Sequence, residues 1–117
     1  MADASASILS TIKKMNNSNE NYEGFDVDII VHINAALSNL NQLGVVSSKR
    51  ARIEDDSTEW SDLGVSDDIL GWVQDYVYFK VKVAFDPPEN SAVLESYNKS
   101  ISELEWRLRE QVEGDRS

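Results

Sequence analysis

The feature that most constrains the fold of this chain is a pair of long apolar segments on either side of two adjacent prolines. Ile69–Phe85 and Val93–Leu108 are dense in apolar side chains, and Pro87 and Pro88 lie between them. The residue before a proline is forced out of the α region, so a helix cannot run unbroken through this point. The two segments therefore form separate long elements that meet at a corner as a hairpin.

The second segment has the pattern of an amphipathic helix. Its apolar residues recur at spacings of three and four, as Leu94, Tyr97, Ile101, Leu104, Leu108 and Val112. Asn90 or Ser91 can cap the first turn with a side-chain oxygen. Opposite charges four residues apart would add weak support, at Glu103 with Arg107 and at Glu105 with Arg109.

The first segment fits two structures. Within Val77–Phe85, apolar side chains recur at every second residue, which is typical of a half-buried strand. The apolar residues of Ile69–Ala84 also cover more than half of a helix circumference, as in a central helix with neighbours on several sides. Asp67 and Asp68 suit a helix N-terminus, where negative charge is favourable. These signals favour the helix and leave the strand as the alternative.

Two more helices are predicted in the first half of the chain. Ala4–Met15 has apolar residues at helical spacing and predicts a short amphipathic helix, with Ser5 or Ser7 as a possible cap. Phe25–Leu43 carries a longer apolar face, with Asp26 as the expected N-cap. Gly44 is expected to end this helix in the left-handed conformation. Residues 16–23, which separate the two helices, are polar and predict a loop.

Residues 45–65 lack helical periodicity and contain two charge clusters of opposite sign. Three basic residues come first and three acidic residues follow: Lys49, Arg50, Arg52, Glu54, Asp55 and Asp56. Between Ile53 and Trp60 the polar residues fit either a loop or the tip of a small β-hairpin. A connection this long is uncommon in a compact domain unless it contacts a partner. The alternatives are a solvated loop anchored by Trp60 and a partner-binding loop whose charges pair within one subunit or between subunits.

Length and composition limit the chain to one compact domain. The 117 residues form one domain, 1–117, in which we expect a flexible N-terminus at 1–4 and a flexible tail at 110–117. The absence of cysteine excludes disulfides, thiolate metal sites and a cysteine nucleophile. We find no signal-peptide pattern and no run near the ~18 apolar residues of a membrane span, so we expect a soluble, intracellular protein without membrane contact.

The charge balance argues against binding of nucleic acid through a basic face. The formal net charge is -10, from 21 acidic and 11 basic residues. Such a surface repels phosphate backbones. The charge either keeps a small domain soluble or provides a surface past which DNA slides without binding.

No recognisable catalytic or cofactor motif is present. The chain lacks a glycine-rich phosphate loop, a histidine-based metal motif, a Ser/His/Asp set and a calcium loop. We interpret His32, the one histidine, as a structural group hydrogen-bonded at a helix edge. The acids at 54–56 and 67–68 are interpreted as solvated groups or as partners of a helix dipole. We therefore expect no enzymatic activity, no cofactor and no metal.

Five stretches together resemble a known family, in the family's order and spacing: Phe25–Asn34, Leu40–Val45, Thr58–Leu63, Tyr76–Pro88 and Ile101–Leu108. They are similar to the small head-tail connector proteins of long-tailed bacteriophages, also called head completion or DNA-packaging adaptor proteins. The most specific part is the run of aromatic and β-branched residues into Phe-Asp-Pro-Pro, followed by Glu-Leu-Glu-Trp-Arg-Leu. The segment Val46–Arg52 departs from the family pattern, which is richer in glycine.

This resemblance implies an all-α fold, a small bundle of about four helices with a long loop or small β-hairpin between the second and third long helices. It also implies that the first apolar segment is a helix. The implied function is that of a virion structural protein in the neck, made in the host cytoplasm. Such a protein forms a ring, expected to be a dodecamer, below the portal protein. The ring extends the DNA channel, lets DNA pass through without specific binding and docks the next neck or tail-completion protein.

Residue roles follow as hypotheses. The core is assigned to Ile29, Ile33, Leu37, Leu40, Val73, Val77, Leu94, Tyr97, Ile101, Leu104 and Leu108, with Trp72 and Trp106 at its margin. Subunit or portal contacts are assigned to Lys49, Arg50, Arg52, Glu54, Asp55, Asp56, Arg109 and Arg116. The competing function is a free-standing acidic helical module that regulates or inhibits a basic partner.

Overall fold

The chain folds into four α-helices packed around one core. The computed structural model describes residues 3–16 and 23–116, with side chains up to Gly114. The helices are α1 (Ile8–Met15), α2 (Asp26–Gln42), α3 (Asp67–Phe85) and α4 (Ser91–Arg116), and a short 3-10 turn spans Trp60–Leu63. The predicted all-α bundle is confirmed. Of its two alternatives for the connection between α2 and α3, the structure has the loop.

The first apolar segment is the central helix of the bundle. α3 packs against α2 on one side and α4 on another, and α1 contacts both α2 and α3. Val73, Val77 and Val81 are fully buried along α3. The strand alternative is therefore wrong. Apolar residues spread around this helix because it has neighbours in several directions.

The proline corner joins α3 and α4 as predicted. At the end of α3, the Lys82 ammonium pairs with the Asp86 carboxylate at 2.8 Å. At the start of α4, the Asn90 side-chain oxygen accepts hydrogen bonds from the amides of Ala92 (2.8 Å) and Val93 (3.3 Å). Asn90 is thus the residue that caps this helix.

Tyr76 joins three helices through a polar contact at the edge of the core. Its hydroxyl donates to the Glu105 carboxylate at 2.7 Å, and the Asn39 amide donates to the same hydroxyl at 3.4 Å. Burial and the hydrogen bond to Glu105 raise the pKa of Tyr76 well above its ordinary range, so the hydroxyl remains a donor. Glu105 makes this bond in place of the predicted ion pair with Arg109, whereas Glu103 and Arg107 do pair, at 2.6 Å.

The helices bury most of the residues that we assigned to the core. Nine of the eleven are buried, and Leu94 and Tyr97 are partly buried. Trp72 is also partly buried, while Trp106 is 58% exposed on the outer face of α4. Further core side chains come from α1 and from the loop: Ile8, Leu9, Ile12, Val46, Ile53, Trp60 and Leu63.

The first helix is capped by one of the two serines proposed for it, whereas the second helix begins differently from the prediction. α1 begins at Ile8, where the Ser7 hydroxyl caps the helix by accepting a hydrogen bond from the Ser10 amide at 3.2 Å. Asp26 is not an N-cap, because Phe25 occupies that position and makes no side-chain cap bond. The Asp26 carboxylate instead pairs at 2.7 Å with the ammonium of Lys13, whose side chain is only 4% exposed.

Three further predictions concern the end of α2, the loop at 16–23 and the C-terminal tail. Gly44 has a positive φ of 84° after α2, as predicted. The predicted loop at 16–23 lies largely outside the described residues, which omit 17–22. α4 continues to Arg116 and so includes most of 110–117. The flexibility that we expect for that tail stays a prediction.

Candidate functional site

Among the residues that the structure describes, no metal-binding group is brought together. Within residues 3–16 and 23–114, no three His, Asp or Glu side chains lie close enough to hold a metal ion. His32 is half-buried beside α3, with its ring 6.4 Å from that of Phe85 in an edge contact. It makes this aromatic contact in place of the hydrogen bond that we expected. In the part of the chain that the structure describes, no helix has the length and apolar character needed to cross a lipid bilayer.

The long loop between α2 and α3 is fixed to the bundle by buried side chains. Trp60 is fully buried, and Val46, Ile53 and Leu63 are buried with it. The Trp60 indole N–H donates to the Thr11 hydroxyl of α1 at 3.1 Å. These side chains therefore anchor the loop to the core, while most of the other loop residues are exposed.

Two asparagines of α2 hold the loop backbone. The Asn34 side chain accepts a hydrogen bond from the Ile53 amide at 2.8 Å and donates one to the Ile53 carbonyl at 3.0 Å. The Asn41 amide donates to the Val46 carbonyl at 2.9 Å and to the Ser48 hydroxyl at 3.1 Å. These contacts determine where the charged residues between 46 and 53 emerge.

The N-terminal segment pairs with the other end of the loop. Three backbone hydrogen bonds join the two: Ser61 N to Ala4 O (2.8 Å), Trp60 N to Ala6 O (3.1 Å) and Ile8 N to Thr58 O (3.0 Å). Residues 58–61 thus bond to residues 4–8 and not to a second strand of the loop, so the β-hairpin alternative is wrong. A single antiparallel bridge between Ser7 and Glu59 is its only strand-like feature among the described residues.

The six charged residues of the loop that we assigned to partner contacts are all exposed. None of them forms an ion pair with a described residue, although the two clusters are adjacent in sequence. Four of them, Lys49, Arg52, Glu54 and Asp55, line a cavity of about 340 Å³. Hydrogen bonds from Ser57 lower the pKa of Asp55 and hold its carboxylate in a local turn.

Arg50 differs from its two basic neighbours because it supports the loop. Its guanidinium donates to the Asp62 carbonyl at 3.0 Å. Its side chain also packs on Gly64, which has a φ of 72°, and a Cβ there would lie 3.3 Å from Arg50. Lys49 and Arg52 make no such contact and are the cations that remain available to a partner.

The two C-terminal arginines lie apart from these six residues. Arg109 is exposed on α4, and the side chain of Arg116 lies outside the described residues. Val112, near the end of α4, lines a cavity of about 320 Å³ together with Val45 and Val65 at the two ends of the loop. The last turns of α4 are therefore close to the loop, but Arg109 and Arg116 stay predicted contact residues.

A second surface, between α3 and α4, carries an acid that sequence reasoning missed. Asp75 lines a cavity of about 170 Å³ with Phe79, Leu104 and Arg107. Burial raises the pKa of the Asp75 carboxyl above its ordinary value. No described cation forms an ion pair with Asp75. No local sequence pattern marks this residue, because its environment is created by the packing of two helices.

The raised pKa predicts that Asp75 reduces the stability of the isolated chain. The folded protein holds the Asp75 proton more tightly than the unfolded chain, so the ionised carboxylate is destabilising above its folded-state pKa. We expect Asp75→Asn to raise the free energy of unfolding at pH 7. This gain should shrink as the pH falls toward the ordinary value of 3.8. Urea denaturation at several pH values measures it, with the exposed Glu95→Gln as control; a loss of stability in D75N at pH 7 would contradict the prediction.

Comparison with known proteins gives one family. The model described as "Phage connector protein" matches residues 8–115. The matched region begins at the first residue of α1, includes the whole loop and ends one residue before the end of α4. The search of curated proteins and the search of solved structures give no match.

Proposed function

Because the chain belongs to the phage connector protein family, we propose that it is a head-tail connector, or adaptor, that forms a ring below the portal. In this position the ring extends the DNA channel and gives the next neck or tail protein its docking surface. The family comprises structural proteins of the virion neck rather than enzymes. The dodecameric ring, the contact with the portal protein and the assembly in the host cytoplasm belong to this proposal.

One observation carries the proposal: the family match extends over all four helices and the loop between α2 and α3. A match confined to one helix pair would support only a shared motif. Here the anchored loop and the bundle that anchors it both fall within the matched residues. The match therefore concerns the complete arrangement that presents the loop charges.

The loop has the properties of an assembly contact. Its backbone is held by Asn34, Asn41 and the buried Trp60, while Lys49 and Arg52 form no ion pair with a described residue. A rigid backbone reduces the entropy lost when charged side chains bind a partner. The loop is thus suited to a subunit or portal contact. Arg109 and Arg116 are further candidates for the portal contact.

The charge of the chain suits a channel through which DNA moves. With a net charge of -10, a ring of these subunits would repel the phosphate backbone and would not retain the duplex. A basic lining would bind phosphates and slow the passage of DNA. This supports a channel that makes no specific DNA contact.

Native mass spectrometry tests the proposed ring. We expect the purified chain to assemble into a ring, either alone or after mixing with the portal protein of the same phage. Arg52→Glu should weaken this assembly while the helical circular dichroism spectrum stays unchanged. Lys99→Glu makes the same change in charge on the outer face of α4 and is the matched control. A chain that stays monomeric alone and with the portal would contradict the proposal and favour the acidic regulatory module.

A further inference from the structure

We propose that Lys49 and Arg52 of one subunit bind the α3–α4 surface around Asp75 of a second copy of the chain. This inference rests on the proposed function, since it specifies the contact between neighbouring subunits of the ring. The partner is an identical chain, and the chemistry is the pairing of two loop cations with a half-buried carboxylate near aromatic rings.

The Asp75 surface can bind a cationic side chain. Asp75 is half-buried in the cavity between α3 and α4, where its charge is partly desolvated and no described cation pairs with it. A carboxylate in such a position gains more from an added cation than a fully solvated one, because the effective dielectric constant is lower. An incoming ammonium or guanidinium would stabilise the ionised form of Asp75.

Aromatic side chains around Asp75 favour the same kind of partner. The Arg107 guanidinium lies 5.8 Å from the centre of the Trp72 ring, so this surface already accommodates one arginine over an aromatic face. Phe79 lines the same cavity as Asp75, and its ring centre is 5.1 Å from that of Tyr97. Trp, Tyr and Arg are the residues most enriched at the energetic centres of protein interfaces. The aliphatic stem of a lysine or arginine can pack on these rings while its head reaches the carboxylate.

The loop supplies the densest group of cations in the chain. Lys49, Arg50 and Arg52 fall within four residues, whereas most other basic residues are isolated or already engaged. Lys13, Lys82 and Arg107 are in ion pairs with acids of the same chain. Arg50 is occupied by the Asp62 carbonyl. Lys49 and Arg52 are therefore the clustered cations that a partner can engage.

The two surfaces are formed by different residues of the subunit. The cavity beside Lys49 and Arg52 and the cavity beside Asp75 share no lining residue. A contact between two different surfaces of identical subunits is heterologous. Such contacts add subunits head to tail and close into a ring when the rotation per subunit fits. The complementary charges are thus arranged as a ring contact requires.

Reciprocal charge exchange tests this pairing. The variants are Asp75→Lys, the pair Lys49→Glu with Arg52→Glu, and the combination of all three. The readout is the concentration at which half of the subunits are in rings, measured by native mass spectrometry in the presence of the portal protein. Because like charges now face each other, we expect D75K and K49E/R52E each to weaken assembly about 100-fold. The combined variant restores opposite charges and should assemble within about 10-fold of the unmodified chain.

Two further variants separate a lost contact from a lost fold. Asp75→Asn removes the charge with little change in shape and should weaken assembly about 10-fold. Glu95→Lys adds the same charge as D75K at an exposed position of α4 and should assemble like the unmodified chain. Circular dichroism shows whether each variant retains its helices.

The outcomes distinguish this pairing from the ring itself. If the unmodified chain forms rings and folded D75N and D75K assemble equally well, the pairing is overturned while the proposed function stands. The same holds if the combined variant assembles no better than D75K. If the unmodified chain forms no ring alone or with the portal, both the pairing and the proposed function fail.

Discussion

Replacing Trp60 by alanine is expected to lower the free energy of unfolding by about 3–5 kcal/mol, the range for a large aromatic side chain in a core. Trp60 is fully buried, and its indole N–H donates to Thr11. The substitution removes the apolar contacts, leaves a cavity and deprives the Thr11 hydroxyl of a partner. Because small domains have only about 5–15 kcal/mol of stability, this loss should leave the variant near its folding limit.

Guanidinium denaturation followed by helical circular dichroism measures this effect. Trp106→Ala is the matched control, because it removes the same side chain from a position that is 58% exposed. Its expected loss is below about 0.5 kcal/mol, as for a surface residue without specific contacts. Equal losses for W60A and W106A would show that Trp60 is not part of the core, and the anchored loop would then be wrong.

A helix could be predicted from the sequence when only one of its faces is buried. α2 and α4 each pack mainly on one side, so their apolar residues follow the helical period. α3 contacts three other helices, and apolar side chains are needed in several directions around it. A helix covered on several sides can produce a period-two run by coincidence, as in Val77–Phe85. Asp67 and Asp68 favour the helix, and the packing of α3 against its neighbours decides between helix and strand.

The expectations that were wrong concern contacts between residues distant in sequence. Asp26 has the composition of an N-cap, but the buried ammonium of Lys13 engages its carboxylate. Residues 53–60 have the composition of a hairpin, but residues 4–8 supply their backbone partners. Local propensity cannot include such partners, because they are brought together only by the fold.

The sequence predicted the exposure of the candidate site but not the contacts of its individual residues. A basic cluster followed by an acidic cluster in a polar stretch indicates exposure, and all six charged loop residues are exposed. The sequence does not distinguish Arg50, which bonds the Asp62 carbonyl, from Arg52, which does not. Asp75 is one acid among 21, and only the packing of α3 against α4 makes its environment unusual.

Asn34→Ala is expected to destabilise the protein by about 2–3 kcal/mol, which is large for a polar residue of intermediate exposure. Asn34 bonds both the amide and the carbonyl of Ile53, and the alanine leaves both backbone groups without their partner. Each lost bond costs about 1 kcal/mol, and desolvated groups left unpaired add to this. Asn39→Ala is the matched control on the same helix, because its one hydrogen bond is long, at 3.4 Å; we expect a loss of about 0.5 kcal/mol or less.

Hydrogen exchange at the Ile53 amide shows whether this loss is local to the loop. In the unmodified chain the amide is bonded to Asn34 and Ile53 is buried, so exchange should require opening of the loop. In N34A the amide should exchange faster by about 10-fold or more, while amides in the middle of α3 stay protected. If the loop positions Lys49 and Arg52 for a neighbouring subunit, N34A should also weaken ring assembly under conditions in which the variant is still folded. Unchanged exchange at Ile53 would show that Asn34 does not hold the loop, and the argument that a rigid loop presents these cations would lose its structural basis.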